Sequence, residues 1–126
     1  VPLTLALVAH DRMKPALAAW VARHAALLAP HAMVCTATTG GLIREHAPGL
    51  AIRLVKSGPL GGDQQIGGMI AEGGIQALVF FPDPLAPQAH DVDVKALLRI
   101  ALVYDIPAAF SPATADLLVA GGLLDR

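Results

Sequence analysis

Five short apolar runs punctuate this chain, each closed by polar or turn-forming residues. Leu3–Ala9, Ala32–Cys35, Leu50–Val55, Ala77–Phe81 and Ile106–Phe110 are long enough for strands and short for buried helices. Between them the apolar spacing changes to the helical period. Pro15 opens the first such stretch, as Pro does in a first helical turn. Leu17, Trp20, Val21, His24 and Leu28 then share a face, and Pro30 stops it. A short helix is predicted from Leu42 to His46, after the polar stretch Thr36-Ala37-Thr38-Thr39-Gly40-Gly41, and Pro48-Gly49 closes it. Asp63 to Glu72 reads as a third helix, ended by Gly73-Gly74. Val92 to Asp105 reads as a fourth, burying Val94, Leu97, Leu98, Ala101 and Leu102. Ser111-Pro112 starts a last one, Ser as cap and Pro at the first helical position.

The strands alternate with helices and are continuously apolar, as expected where helices cover both faces of a sheet. The prediction is an α/β, single-domain, three-layer fold built on an open, parallel, five-stranded and doubly wound sheet. The 126 residues suit one domain, and at 55% hydrophobic residues they can form a core without staples. Nine basic and ten acidic residues, with no basic block, argue against nucleic acid as a partner. No apolar run approaches the roughly 18 residues of a membrane span, and Val1-Pro2-Leu3-Thr4 lacks the charged region that opens a secretory signal. One cysteine, Cys35, forms no intrachain disulfide, and a reducing cytoplasm is its simplest home.

In such a sheet ligands bind outside the carboxyl ends of the strands, where the strand order reverses. The unusual polar residues follow that edge. His10, Asp11 and Lys14 come after the first strand and Thr36, Thr38 and Thr39 at the end of the second. Ser57, Gly58 and Asp63 follow the third strand, and Asp83, His90, Asp91 and Asp93 the fourth. The other edge holds turn residues, Pro30, Pro48-Gly49 and Gly73-Gly74. The loop Ser57-Gly58-Pro59-Leu60-Gly61-Gly62-Asp63-Gln64-Gln65 is the centre of the pattern. Its hydroxyl and bare amides suit an oxyanion such as phosphate, and its carboxylate suits proton transfer. Lys14, the threonine hydroxyls, Ser57 and the Gly58 amide compose a phosphate cradle. His10 and His90 suit donation to a carbonyl or proton shuttling near neutral pH. A carbonyl-bearing sugar phosphate needs all three functions.

Plainer readings stand beside these. Asp63, Asp11 and Asp93 serve equally as helix caps, and Asp83 between two prolines as a turn former. The threonines suit a strand. His24 and His46 fall on helices and His31 in a turn, without chemistry. A metal site from His10, His90, Asp91 and Asp93 has weak support, because no histidine pair has helical ligand spacing.

Taken together, Val8-Ala9-His10-Asp11 with Lys14, Thr38-Thr39-Gly40, the Gly-Gly-Asp-Gln-Gln loop, Phe80-Phe81-Pro82-Asp83-Pro84 and His90-Asp91-Val92-Asp93-Val94-Lys95 closely resemble the methylglyoxal synthase family. The match runs in order over nearly the whole chain. The Gly-Gly-Asp-Gln-Gln motif is quite specific, whereas the flavodoxin-like fold is shared with the effector domain of carbamoyl-phosphate synthetase and a purine-pathway cyclohydrolase. The resemblance implies a cytoplasmic, homohexameric, cofactor-free and metal-free lyase that converts dihydroxyacetone phosphate to methylglyoxal and inorganic phosphate, with phosphate as a cooperative inhibitor. It implies that Asp63 is the general base, that His90 polarises a substrate oxygen and moves protons, and that His10 contacts the substrate. Lys14, Thr36, Ala37, Thr38, Thr39, Ser57 and Gly58 would line the phosphate subsite, with Ala37 where the family has glycine. Asp11, Asp83 and Asp93 would orient the histidines. Arg99 is carried as a candidate for a phosphate route between subunits. Family members often continue past the last helix, after which this sequence soon ends at Arg126.

A carboxylate with a pKa near 4 is a weak base in water, so the chemistry needs Asp63 desolvated and the enediolate stabilised by donors. A rival without that need is a non-catalytic regulatory domain of the same fold that binds a phosphorylated effector. It would use the cradle but not Asp63 with His90. An isomerase or aldolase acting on a sugar phosphate is a second rival.

Overall fold

In the computed structural model, which describes residues 2–86 and 91–125 apart from the side chains at 91–93, the parallel sheet dominates. Strands β1 (Thr4–Ala9), β2 (Ala32–Thr36), β3 (Ala51–Val55), β4 (Ala77–Phe81) and β5 (Ala108–Ala109) run in the order β3-β2-β1-β4-β5. Every pairing is parallel, with Leu7 opposite Cys35 on one side and Val79 on the other. The chain winds outward through β2 and β3, then returns to the other side of β1. The order therefore reverses between β1 and β4.

Alternation along the strands sorts the core into two halves. Leu5, Leu7 and Ala9 face one way, with Met33, Cys35, Val79 and Phe81. They pack under α1 (Lys14–Arg23), α3 (Ala37–His46) and α6 (Pro112–Ala120) through Leu17, Trp20, Ile43 and Ala115. Ala6, Val8, Val34, Leu78 and Phe80 face the other way. They pack under α4 (Gly62–Ala71) and α5 (Asp91–Val103) through Ile66, Ile70, Leu97 and Ala101. This is the three-layer, doubly wound arrangement that the apolar runs predict.

Five details differ from the prediction. Leu98 and Leu102, expected on the buried face of α5, are 42% and 71% exposed, so the apolar stripe of that helix is wider than the face that meets the sheet. The first helix breaks at His24, and a short α2 (Ala25–Leu28) follows. The break coincides with the His24 ring meeting Asp116 of α6, Nε2 to Oδ1 at 2.8 Å. Helix α3 begins at Ala37, five residues before the predicted Leu42, so the threonines open a helix rather than fill a loop. Strand β3 is an edge and of its residues only Val55 is buried, which departs from two-sided burial. Strand β5 shrinks to two residues.

His31 is more than a turn residue. It is buried, its Nδ1 accepts the Leu3 N–H at 2.8 Å, and its Nε2–H donates to the Leu124 carbonyl at 3.0 Å. One ring thus joins the start of β1 to the 3-10 turn Leu123–Asp125.

Candidate functional site

The strand order reverses at β1 and β4, and a cavity of about 400 Å³ opens there beyond their carboxyl ends. His10 follows β1 directly. Its N–H donates to the Phe81 carbonyl at 3.1 Å, extending the ladder by one bond, and its ring lies edge-on to Phe80. The Asp83 N–H donates to His10 Nδ1 at 3.1 Å. A nitrogen that accepts carries no proton, so the neutral ring holds its hydrogen on Nε2. Asp83 is itself buried and is fixed in a tight turn by the Leu85 N–H, which donates to its Oδ1 at 3.0 Å.

The Gly-rich loop reaches the same cavity, and its residues divide the work. Ser57 leads into a 3-10 turn over Gly58–Leu60, and its carbonyl accepts the N–H groups of Leu60 and Gly62, both at 3.0 Å. Gly61 has φ +104°, a left-handed conformation that favours glycine. Gly62 lies against the Lys56 backbone so closely that a Cβ would fall 1.8 Å from its carbonyl oxygen. Gln65 Oε1 accepts the Lys56 N–H at 2.8 Å and locks the end of β3 to α4. These contacts set Asp63 in the first turn of α4 at 7% exposure. Both its carboxylate oxygens lie 3.6 Å from where a Gly58 side chain would begin. The glycines thus act first on the fold of the loop. Of the three glycines between Ser57 and Asp63, Gly58 alone lines the cavity.

Lys14 starts α1 and lines the cavity. Its ammonium donates to Asp11 Oδ1, and that hydrogen bond and charge hold the Asp11 carboxyl below its ordinary value of 3.8. Asp11, expected to orient a histidine, has Lys14 as its principal partner. Thr36 and Thr38 line the cavity. Thr39 sits behind them, accepting the Thr36 hydroxyl at 3.2 Å. Because α3 begins at Ala37, its first N–H groups lack intrahelical acceptors and aim a partial positive charge past Thr36. A helix N-terminus of this kind favours anions in general, and the loop reading of this stretch missed it.

His10, Asp11, Lys14, Thr36, Thr38, Gly58, Asp63 and Asp83 therefore share one cavity. Ala37 and Ser57 adjoin it in sequence without lining it. His90 lies outside the described residues, as does the side chain of Asp93. Arg99 lines a separate groove of about 250 Å³ between α4 and α5, of which Asp63 and Gln64 form one end. Arg12 and Ala86 line the same cavity as His10 without having been anticipated, and so does Pro59 of the Gly-rich loop. Among the described residues no three His, Cys, Asp or Glu side chains group as metal ligands, and no helix is long and apolar enough to cross a membrane.

A cavity at the reversal of a doubly wound sheet, lined by an ammonium, two hydroxyls, an imidazole and a buried carboxylate, has groups able to bind a small anion and to transfer a proton. The MGS-like domain family matches residues 16–110. Methylglyoxal synthases of Brucella ovis and Brucella anthropi are each 56% identical over 117 residues, covering 93% of this chain and 94% of theirs. The crystal structure of methylglyoxal synthase from Elizabethkingia anophelis superposes with a TM-score of 0.86 at 49% identity, covering 93% of this chain and 76% of that one. The chain belongs to the methylglyoxal synthase family, a family of lyases.

Proposed function

We propose that this chain converts dihydroxyacetone phosphate to methylglyoxal and inorganic phosphate through an enediolate. The observation that supports it is that His10, Lys14 and Asp63 line one cavity. Lys14, Thr36, Thr38, the Gly58 amide and the N-terminus of α3 hold the phosphate, with Ala37, Thr39 and Ser57 shaping the wall. The His10 Nε2–H donates to the carbonyl oxygen, where charge develops. Asp63, shielded from water, takes a proton from the hydroxymethyl carbon, and the C–H electron pair becomes the enediolate double bond. Held with its bridging C–O bond out of the enediolate plane, the phosphate leaves with that bond's electrons. The enol left behind gains a proton at carbon and becomes methylglyoxal, with His90 moving protons between the oxygens. Asp83 orients His10, and Asp93 is the corresponding support for His90.

Finer readings go with this one. Inorganic phosphate competes for the same cradle. The chain works as a homohexamer in the cytoplasm, and the exposed apolar row Leu98, Leu102 and Val103 on α5 supplies a subunit contact. The direct test is to incubate the protein with dihydroxyacetone phosphate and measure methylglyoxal colorimetrically beside released phosphate. Equal amounts of the two are expected. Glyceraldehyde 3-phosphate as product, or no turnover with the substrate bound, would replace the lyase reading with an isomerase or a regulatory domain.

A further inference from the structure

We propose that Arg12 forms a second anion subsite at the mouth of the cavity, so that the site takes short ligands with two anionic ends, bisphosphates above all. The inference rests on the reading of the inner cavity as a phosphate site and extends it. Arg12 belongs to the 3-10 turn Asp11–Met13, two residues before Lys14, and both cations line the cavity. They differ in depth. The Lys14 side chain keeps 15% of its exposure and that of Arg12 keeps 77%.

They also differ in commitment. Lys14 already donates to Asp11. The carboxylate paired with Arg12 is Asp83, through a single contact of 3.9 Å to Oδ2, which is beyond hydrogen-bond range. A guanidinium carries five N–H donors in a fork that grips phosphate two bonds at a time. No hydrogen bond to a described residue uses them.

Charge and space point the same way. The cavity lining carries the carboxylates of Asp11, Asp63 and Asp83 against the cations of Arg12 and Lys14. A second anion on the ligand is repelled by those carboxylates and finds at Arg12 the cation held by the looser ion pair. The cavity, at about 400 Å³, has the volume of roughly a dozen waters, more than a triose monophosphate displaces. Room therefore remains between the inner phosphate and the mouth for a chain that ends in another anion.

The test is calorimetric titration of the whole protein with propyl phosphate and with propane-1,3-diol bisphosphate. Wild type is expected to bind the bisphosphate about tenfold more tightly, the step of one added charge-assisted pair. In Arg12→Gln the ratio should fall to near one, and Arg12→Lys should restore part of it. The wild-type ratio should shrink as salt is raised, because the mouth is open to screening. A ratio near one in wild type, or a ratio that survives Arg12→Gln, overturns the subsite. Binding of neither probe to wild type overturns the phosphate reading itself, and that outcome is distinct from loss of the ratio alone.

Discussion

The backbone N–H of Asp83 donates to Nδ1 of His10 at 3.1 Å, across the point where the strand order reverses. Residues 73 positions apart in sequence thereby fix the tautomer of one imidazole. Its Nε2–H becomes a donor, which suits a ring that steadies a growing oxyanion and not one that removes a proton from carbon. Replacing the ring by Phe keeps the bulk against Phe80 and removes the donor. His10→Phe is expected to lower kcat by about a hundredfold to a thousandfold, the cost of one oxyanion donor. Steady-state rates of methylglyoxal formation check this, and a kcat within a few-fold of wild type removes His10 from the transition state.

Asp63 has the opposite character, an acceptor facing the Gly58 backbone. Asp63→Asn keeps the shape and removes the basicity. Turnover should drop by at least about a hundredfold to ten-thousandfold, the range for a positioned general base. Inorganic phosphate should still bind, since the proposed cradle is built from other residues. Wild-type turnover in this variant would move the base elsewhere.

Gly62 tests whether the loop fold sets that carboxylate. An added methyl would meet the Lys56 carbonyl oxygen at 1.8 Å, and backbone cannot swing aside as a flexible side chain can. Gly62→Ala should cost about 1–3 kcal/mol or more by overpacking, read from urea midpoints. It should also reduce kcat in the fraction that stays folded, because Asp63 is the next residue. A variant with unchanged stability and rate would show the close approach to be dispensable.

Why some of this was readable in the chain and some not has a physical basis. The strands stood out because each is an apolar run between breakers. The site edge stood out because the chemically versatile polar residues cluster after the strands, while the other edge holds turn residues. The start of α3 did not, because Thr38-Thr39-Gly40-Gly41 is poor helix sequence. Packing overrides it: a side chain at Gly40 would lie 3.0 Å from Cys35 Cβ and 2.1 Å from Leu54 Cδ2, so glycine lets α3 settle on β2 and β3. The role of His31 was invisible, because its partners lie 28 and 93 residues away. Nothing in the order of residues set Arg12 apart from any exposed arginine.

His31 offers a stability test apart from the site. His31→Leu fills similar space and leaves the Leu3 N–H and the Leu124 carbonyl without their partner. Each orphaned buried group costs about 1–3 kcal/mol. The midpoint of chemical unfolding should fall accordingly, with methylglyoxal formation per folded molecule unchanged. A midpoint equal to wild type would mean that water takes over both bonds.

Cys35 gives the pH dependence its sign. Burial in β2 pushes its thiol from 9.0 up to about 12, since the thiolate would sit in the apolar core. The folded thiol therefore keeps a proton that the unfolded one loses. Its contribution is fully present below pH 9 and is lost as pH rises from 9 toward 12, by at most about 1.4 kcal/mol per pH unit. Urea midpoints taken at rising alkaline pH should fall more steeply for wild type than for Cys35→Ala, in which this proton is absent. The folded protein should also resist a thiol reagent at pH 8 and react once unfolded. Equal alkaline slopes for the two proteins, or fast labelling of the native state, would mean that the thiol is open to solvent.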